Sequence, residues 1–69
     1  MTYRILAKKL RRLGCELVRR APGSHEIWWN ARNQLFTTVP NHGNRDILEG
    51  TLAAILRDLG FTRKDVDEA

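Results

Sequence analysis

Two stripes of apolar residues, spaced three and four positions apart, predict an amphipathic helix near each end of the chain. The first helix covers residues 3–13, and its apolar side carries Tyr3, Leu6, Leu10 and Leu13. Gly14 follows, at the position where a left-handed residue ends many helices. The second helix covers residues 51–59, and its apolar side carries Leu52, Ile55, Leu56 and Leu59.

Three short runs of strand-forming residues lie between the helices. They cover residues 15–20, 25–30 and 35–39, and Pro40 ends the third run. Ala-Pro-Gly-Ser at 21–24 predicts the turn between the first two strands, since proline and glycine both favour turns. The order α-β-β-β-α predicts an α+β fold, a two-layer sandwich in which two helices cover one face of a three-stranded antiparallel sheet.

The pattern leaves open which face of the sheet the helices cover. Trp28 and Trp29 are adjacent in the second strand, so they point to opposite faces. One of the two tryptophans belongs to the core. The other is either covered by a partner protein or offers a flat ring on which an unpaired base can stack.

Two pairs of polar residues have the spacing of a capping box, in which an N-cap side chain and an acid three residues later satisfy free backbone N–H groups. Asp46 and Glu49 form the first pair, in a polar loop ahead of the second helix that Gly50 interrupts. Thr62 and Asp65 form the second pair and predict one frayed helical turn in the tail.

The size and composition limit the chain to a few classes of protein. Its 69 residues suffice for one domain over 1–69, and a domain this small buries only about 60% of its unfolded surface. An active site is therefore expected at the surface. The single cysteine, Cys15, excludes an intramolecular disulfide and a zinc site built on paired cysteines. The absence of a long apolar run and of a signal peptide predicts a reduced, cytoplasmic protein that does not bind membranes.

The net charge of +4 is unevenly distributed. Residues 1–34 carry eight Lys or Arg and two acids, whereas residues 35–69 carry four and six. The positive charge of the first half is suited to bind a polyanion such as RNA, although it would also attract an acidic protein. The basic side of the first helix is accordingly either a solvated surface or a nucleic-acid contact.

Two histidines are placed at one end of the predicted sheet. If the second turn is centred on Arg32 and Asn33, His25 lies opposite Pro40 and His42 lies two residues beyond that pair. An imidazole, with an intrinsic pKa of about 6.5, can move the protons that RNA cleavage at a ribose 2′-hydroxyl requires. The alternatives are a strand residue that hydrogen-bonds the turn, for His25, and a simple turn residue, for His42.

Ser24 precedes His25 and is a second candidate for chemistry. A nucleophilic serine of the Gly-x-Ser-x-Gly type is not indicated, because that motif is absent. Ser24 is better suited to orient a phosphate with its hydroxyl or backbone N–H. The two histidines and the scattered acids do not have the spacing of metal ligands.

Four segments together resemble the HicA (YcfA-like) toxin family: KKLRRLGCELVRRAPGSH, GSHEIWW, TTVPNHGN and GTLAAILRDLG. The resemblance covers nearly the whole chain. It implies a fold like the double-stranded-RNA-binding domain and endoribonucleolytic cleavage of mRNA without a metal or other cofactor. It also implies a HicB-type antitoxin as the inhibiting partner. We expect the toxin to be monomeric when free. The family's catalytic histidine falls on His25 of the sequence Gly23-Ser24-His25.

We therefore expect catalysis by His25, with assistance from Ser24 or His42. We expect RNA contacts from seven residues: Lys8, Arg11, Arg12, Arg19, Arg20, Gly23 and Ser24. One departure is that double-stranded-RNA binders present a lysine cluster at the start of the last helix, where this chain offers only Arg45. Duplex binding is therefore the weaker interpretation. A non-catalytic RNA-binding module and a small protein that binds an acidic antitoxin are the alternative functions.

Overall fold

The computed structural model describes all 69 residues and has the predicted order of elements, with the helical turn expected in the tail present as a short helix. The elements are α1 (Tyr3–Arg12), β1 (Cys15–Arg20), β2 (His25–Asn30), β3 (Leu35–Pro40), α2 (Glu49–Leu59) and α3 (Arg63–Asp67). The strands form one antiparallel sheet in the order β1-β2-β3, so β2 is the central strand. The predicted three-stranded α+β fold is confirmed.

The register of the sheet determines which residues meet at its two ends. The predicted pairing of His25 with Pro40 is confirmed. The β1–β2 pairing contains a bulge that the sequence did not reveal, because Val18 is an extra residue without a partner on β2. A bulge shifts all later pairs by one residue, and it places Arg20 opposite Glu26.

Burial alternates along β2 and shows which face the helices cover. Trp28 is fully buried, and Glu26 and Asn30, on the same side of the strand, are 3% and 1% exposed. His25 and Trp29 lie on the opposite side, which no helix covers, and His25 is exposed. Trp28 is therefore the core tryptophan, and Trp29 belongs to the open face of the sheet.

The two leucine stripes meet on the covered face. One cluster of twelve buried apolar residues forms the core: Leu6, Ala7, Leu10, Cys15, Trp28, Val39, Ile47, Leu52, Ile55, Leu56, Leu59 and Val66. Burial raises the pKa of the Cys15 thiol to about 11, so this thiol stays protonated at neutral pH. No helix has the length and apolar character needed to cross a bilayer.

The second long helix begins at Glu49, two residues before the predicted start, and the predicted capping box of Asp46 and Glu49 is wrong. Leu48 is the N-cap residue, and no side chain caps the helix. Asp46 instead lies 3.5 Å from the N-terminal amino group and pairs with Thr2 in an isolated β-bridge. These partners are remote in sequence, so local spacing could not identify them.

The tail forms α3, and its predicted capping box is confirmed. The Thr62 hydroxyl accepts a hydrogen bond from the Asp65 N–H, and the Asp65 carboxylate accepts one from the Thr62 N–H. Val66 is fully buried in the core. The Lys9 ammonium group donates hydrogen bonds to the Val66 and Ala69 carbonyls, at 3.0 and 3.3 Å, and so ties the tail to α1.

Candidate functional site

The Gly23-Ser24-His25 segment forms the seam between the first turn and the central strand. Gly23 has φ +77°, a left-handed conformation that residues with a Cβ rarely adopt. The Ala21 N–H donates a hydrogen bond of 2.9 Å to the His25 carbonyl and closes the turn. Because β2 is also paired with β3 at Pro40, the backbone of His25 is held from both sides while its side chain stays exposed.

A cleft of about 100 Å³ opens at this seam. It is lined only by polar residues and glycine: Arg20, Gly23, Ser24, His25, Glu26 and Asn41. Four of these six residues are candidates that the sequence identified, namely Arg20, Gly23, Ser24 and His25. The structure therefore brings an imidazole, a hydroxyl and a guanidinium group to one small depression.

The bulge at Val18 decides which arginine reaches the cleft. Arg20 lies opposite Glu26, and its Nε is 3.5 Å from the Glu26 Oε2. Arg19 lies opposite Ile27 and points to the open face of the sheet. Both arginines are exposed, which a contact with RNA requires. The two predicted contacts thus lie on different sides of the strand, and only Arg20 lines the cleft.

Glu26 and Asn41 complete the cleft and were not identified from the sequence. The Glu26 carboxylate is buried, its Oε2 accepts a hydrogen bond of 3.4 Å from the Asn41 side-chain amide, and its Oε1 has no hydrogen-bond partner. The Asn41 N–H also donates to the Ser24 carbonyl. The strand period places Glu26 on the same face as Trp28, but the sequence did not show that this face is the buried one.

Tyr3 of α1 borders this acid. Burial raises the pKa of Tyr3 to about 12, the neighbouring Glu26 carboxylate adds to the rise, and Arg11 and Arg20 oppose it. Tyr3 is therefore a neutral phenol at physiological pH. The Arg11 guanidinium lies 5.1 Å from the centre of the Trp28 ring, so the basic side of α1 approaches the edge of the sheet near β1.

The remaining predicted RNA contacts on α1 are also exposed. Lys8, Arg11 and Arg12 all reach solvent, and none of the three forms an ion pair with an acidic side chain. Lys9, in contrast, donates hydrogen bonds to backbone carbonyls of the tail. The unpaired cations of α1 and the Arg20 side chain give the β1 side of the molecule a positive surface that adjoins the cleft.

His42 does not line the cleft. It follows Asn41 directly, is exposed, and its carbonyl accepts a hydrogen bond of 3.3 Å from the Arg45 N–H in a turn. This hydrogen bond places the backbone of His42 in a turn, in agreement with the alternative interpretation of His42 as a turn residue. No three His, Cys, Asp or Glu side chains lie close enough together to hold a metal ion.

The open face of the sheet carries an aromatic pair. The rings of Trp29 and Phe36 lie 4.4 Å apart between centroids and are tilted by 42°. Phe36 is 56% exposed, and Trp29 is half-buried. Since His25 and Trp29 share this face, the pair lies four residues along β2 from the seam, or about 13 Å at the usual rise of a strand.

The fold and the cleft define a class of protein: a small α+β domain with a histidine held at an exposed, polar cleft beside a basic surface. Residues 3–61 match the family model described as the HicA toxin of bacterial toxin–antitoxin systems. The chain belongs to this family, which makes it a toxin with an antitoxin as its partner. No curated protein and no solved structure matches the chain.

Proposed function

We propose that this toxin is a cytoplasmic endoribonuclease that cleaves mRNA without a metal ion, uses His25 as its acid–base group, and is inhibited by a HicB-type antitoxin. The observation that carries the proposal is the cleft at the seam, where the exposed His25 imidazole lies beside Ser24 and Arg20. Family membership adds the role of a toxin. The size of the cleft suits a single phosphate of an extended RNA strand.

Cleavage in such a cleft needs two proton transfers. The ribose 2′-oxygen forms a bond with phosphorus while the bond from phosphorus to the 5′-oxygen breaks. One proton leaves the 2′-hydroxyl and another reaches the leaving 5′-oxygen, which gives a 2′,3′-cyclic phosphate and a 5′-hydroxyl. An imidazole exchanges protons near neutral pH, so His25 carries one of these transfers and a solvent water molecule carries the other. Arg20 and Ser24 hold the phosphate oxygens and stabilise their negative charge.

The inhibitor is expected to use the same surface. An acidic antitoxin competes with RNA for the positive field on the β1 side, and covering the seam blocks the substrate directly. We therefore assign the contact surface of the HicB-type antitoxin to Arg19, Arg20 and the seam. Trp29 is a further contact, since aromatic residues often carry much of the binding energy of an interface.

The main alternative is an RNA-binding module on the same fold that has no catalytic activity. The aromatic pair Trp29–Phe36 on the open face favours it, because bases of a single strand stack on such rings. In this case RNA binds and stays intact. The third alternative, a protein that binds only its antitoxin, predicts that RNA does not bind.

The purified toxin, incubated with an unstructured mRNA transcript in excess EDTA, is expected to produce discrete fragments that end in 2′,3′-cyclic phosphate. Adding the antitoxin encoded beside the toxin gene is expected to suppress the fragments. Bound but uncut RNA indicates the non-catalytic module, and the absence of both binding and cutting indicates the interaction protein. Fragments that appear only when a divalent metal is added contradict the metal-independent mechanism.

We expect the basic side of α1 to contribute affinity through phosphate contacts. Replacing Lys8, Arg11 and Arg12 by glutamine should weaken binding of a single-stranded RNA. It should also make the slope of log K against log salt shallower by about 2, because each contact with a single strand contributes about 0.7. Fluorescence anisotropy at several salt concentrations measures this slope, and a thermal melt checks that the Arg11–Trp28 contact is not needed for folding.

A matched control removes three positive charges elsewhere. Arg57, Arg63 and Lys64 lie on α2 and α3, and each is within 4 Å of an acidic side chain. Replacing these three residues by glutamine changes the net charge equally but should leave the slope nearly unchanged. Equal slopes for both triple variants would mean that only net charge matters and that α1 is a solvated surface.

A further inference from the structure

Glu26 is a buried acid in the cleft to which the proposed mechanism gives no task. Its side chain is 4% exposed, whereas its ion-pair partner Arg20 is 81% exposed. One carboxylate oxygen lies near Arg20 and Asn41, and the other has no hydrogen-bond partner. This is the only acidic side chain that is buried in the molecule.

Stability does not explain this arrangement. Removing a carboxylate from water costs several kcal/mol by general estimates, and the Coulomb attraction repays this only when the hydrogen bonding is complete. Here the partner cation is solvated, and the Oε1 oxygen has no hydrogen bond within 3.5 Å, although the Tyr3 phenol lies near the carboxylate. A neutral residue of the same shape would remove that cost, and residues that cost stability in this way are concentrated at functional sites.

The Glu26 carboxylate contacts two other side chains of the cleft, those of Arg20 and Asn41. Its Oε2 lies 3.5 Å from the Arg20 Nε and 3.4 Å from the Asn41 Nδ2. An arginine held through Nε keeps its two terminal amino groups free, and these can bind two oxygens of one phosphate. Asn41 in turn donates its backbone N–H to the Ser24 carbonyl, so Asn41 connects the carboxylate to the residue next to His25.

We propose that Glu26 is a positioning residue: its buried carboxylate orients the Arg20 guanidinium toward the phosphate that His25 acts on. The expected effect on kcat rests on the proposed ribonuclease function. The orientation of Arg20 itself is a property of the free protein and can be measured without any substrate.

The variant Glu26→Gln keeps the shape of the side chain and removes its charge. We expect kcat for a short RNA to fall about 10- to 100-fold, the usual cost of misplacing a group near a reacting centre. KM should change little, because the Arg20 charge remains and still attracts RNA. The thermal midpoint should stay the same or rise, since a buried, incompletely paired charge is gone. A residue needed only for folding would lower the midpoint and leave kcat of the folded protein unchanged.

A double-mutant cycle tests whether Glu26 acts through Arg20. In the Arg20→Gln background, the further change Glu26→Gln should lower kcat less than 3-fold, because there is no guanidinium left to orient. The matched control is Glu49→Gln, which removes an exposed carboxylate 2.9 Å from Arg63, away from the cleft, and should leave kcat unchanged. An equal loss of kcat in the two Arg20 backgrounds would overturn the proposal.

The NMR signal of the Arg20 Nε–H group provides the readout that is independent of activity. Glu26→Gln should shift this signal and lower its order parameter, whereas Glu49→Gln should not. If the toxin proves to have no ribonuclease activity, this shift still tests the orientation of Arg20. A failure of the proposed function can therefore be distinguished from a failure of the inference about Glu26. An Arg20 signal that is identical in the wild type and in Glu26→Gln would contradict the inference whatever the kinetics show.

Discussion

Replacing Trp28 by alanine is expected to lower the free energy of unfolding by about 3–5 kcal/mol, the usual cost of removing a fully buried tryptophan. Trp28 is 0% exposed and belongs to the single core cluster. A domain of 69 residues has a total stability of roughly 3–10 kcal/mol. The variant should therefore lose a large part of its total stability. Urea denaturation followed by far-ultraviolet circular dichroism measures the loss without relying on tryptophan fluorescence.

The adjacent tryptophan provides the matched control. Trp29 lies on the open face and contacts Phe36 across the strand pair, and such an aromatic pair contributes about 0.5–1.5 kcal/mol beyond its burial. Trp29→Ala should therefore cost clearly less than Trp28→Ala. The variant Trp28→Phe should also cost less than Trp28→Ala, because it keeps most of the ring and removes an indole N–H that has no hydrogen-bond partner. Equal losses for Trp28→Ala and Trp29→Ala would contradict the placement of the helices.

The order of elements and the register of the β2–β3 pair could be predicted from the sequence because local signals determine them. The leucine stripes have a helical period, and the short connection between β2 and β3 brings His25 opposite Pro40. The same reasoning located four of the six residues that line the cleft. These features depend on residues that are close together in the sequence.

The features that could not be predicted depend on contacts between distant residues. The covered face of the sheet was undecided because each face carries a tryptophan, and only packing against the helices distinguishes them. The bulge at Val18 has no local signature, yet it moves Arg20 beside Glu26. Asp46 has the spacing of a helix cap but pairs with the N-terminal amino group instead. The cleft was therefore only partly predictable.

The second large effect concerns His25. Replacing it by alanine should lower the rate of RNA cleavage by about 10²–10⁴-fold, the usual contribution of one acid–base group, and should abolish growth inhibition on expression. The fold should be intact, because the His25 side chain is exposed and its backbone hydrogen bond to Ala21 does not depend on the imidazole. His42→Ala is the matched control, since this second exposed histidine does not line the cleft.

The single-turnover rate of cleavage of a short, unstructured RNA tests the central claim most directly. The wild type, His25→Ala and His42→Ala are compared in EDTA at enzyme concentrations that saturate the RNA, with equal thermal midpoints as proof of folding. The proposal predicts a rate for His42→Ala close to that of the wild type and the large loss given above for His25→Ala, although His25→Ala still binds the RNA. A folded His25→Ala protein that cleaves at the wild-type rate would contradict the assignment of His25 as the catalytic residue.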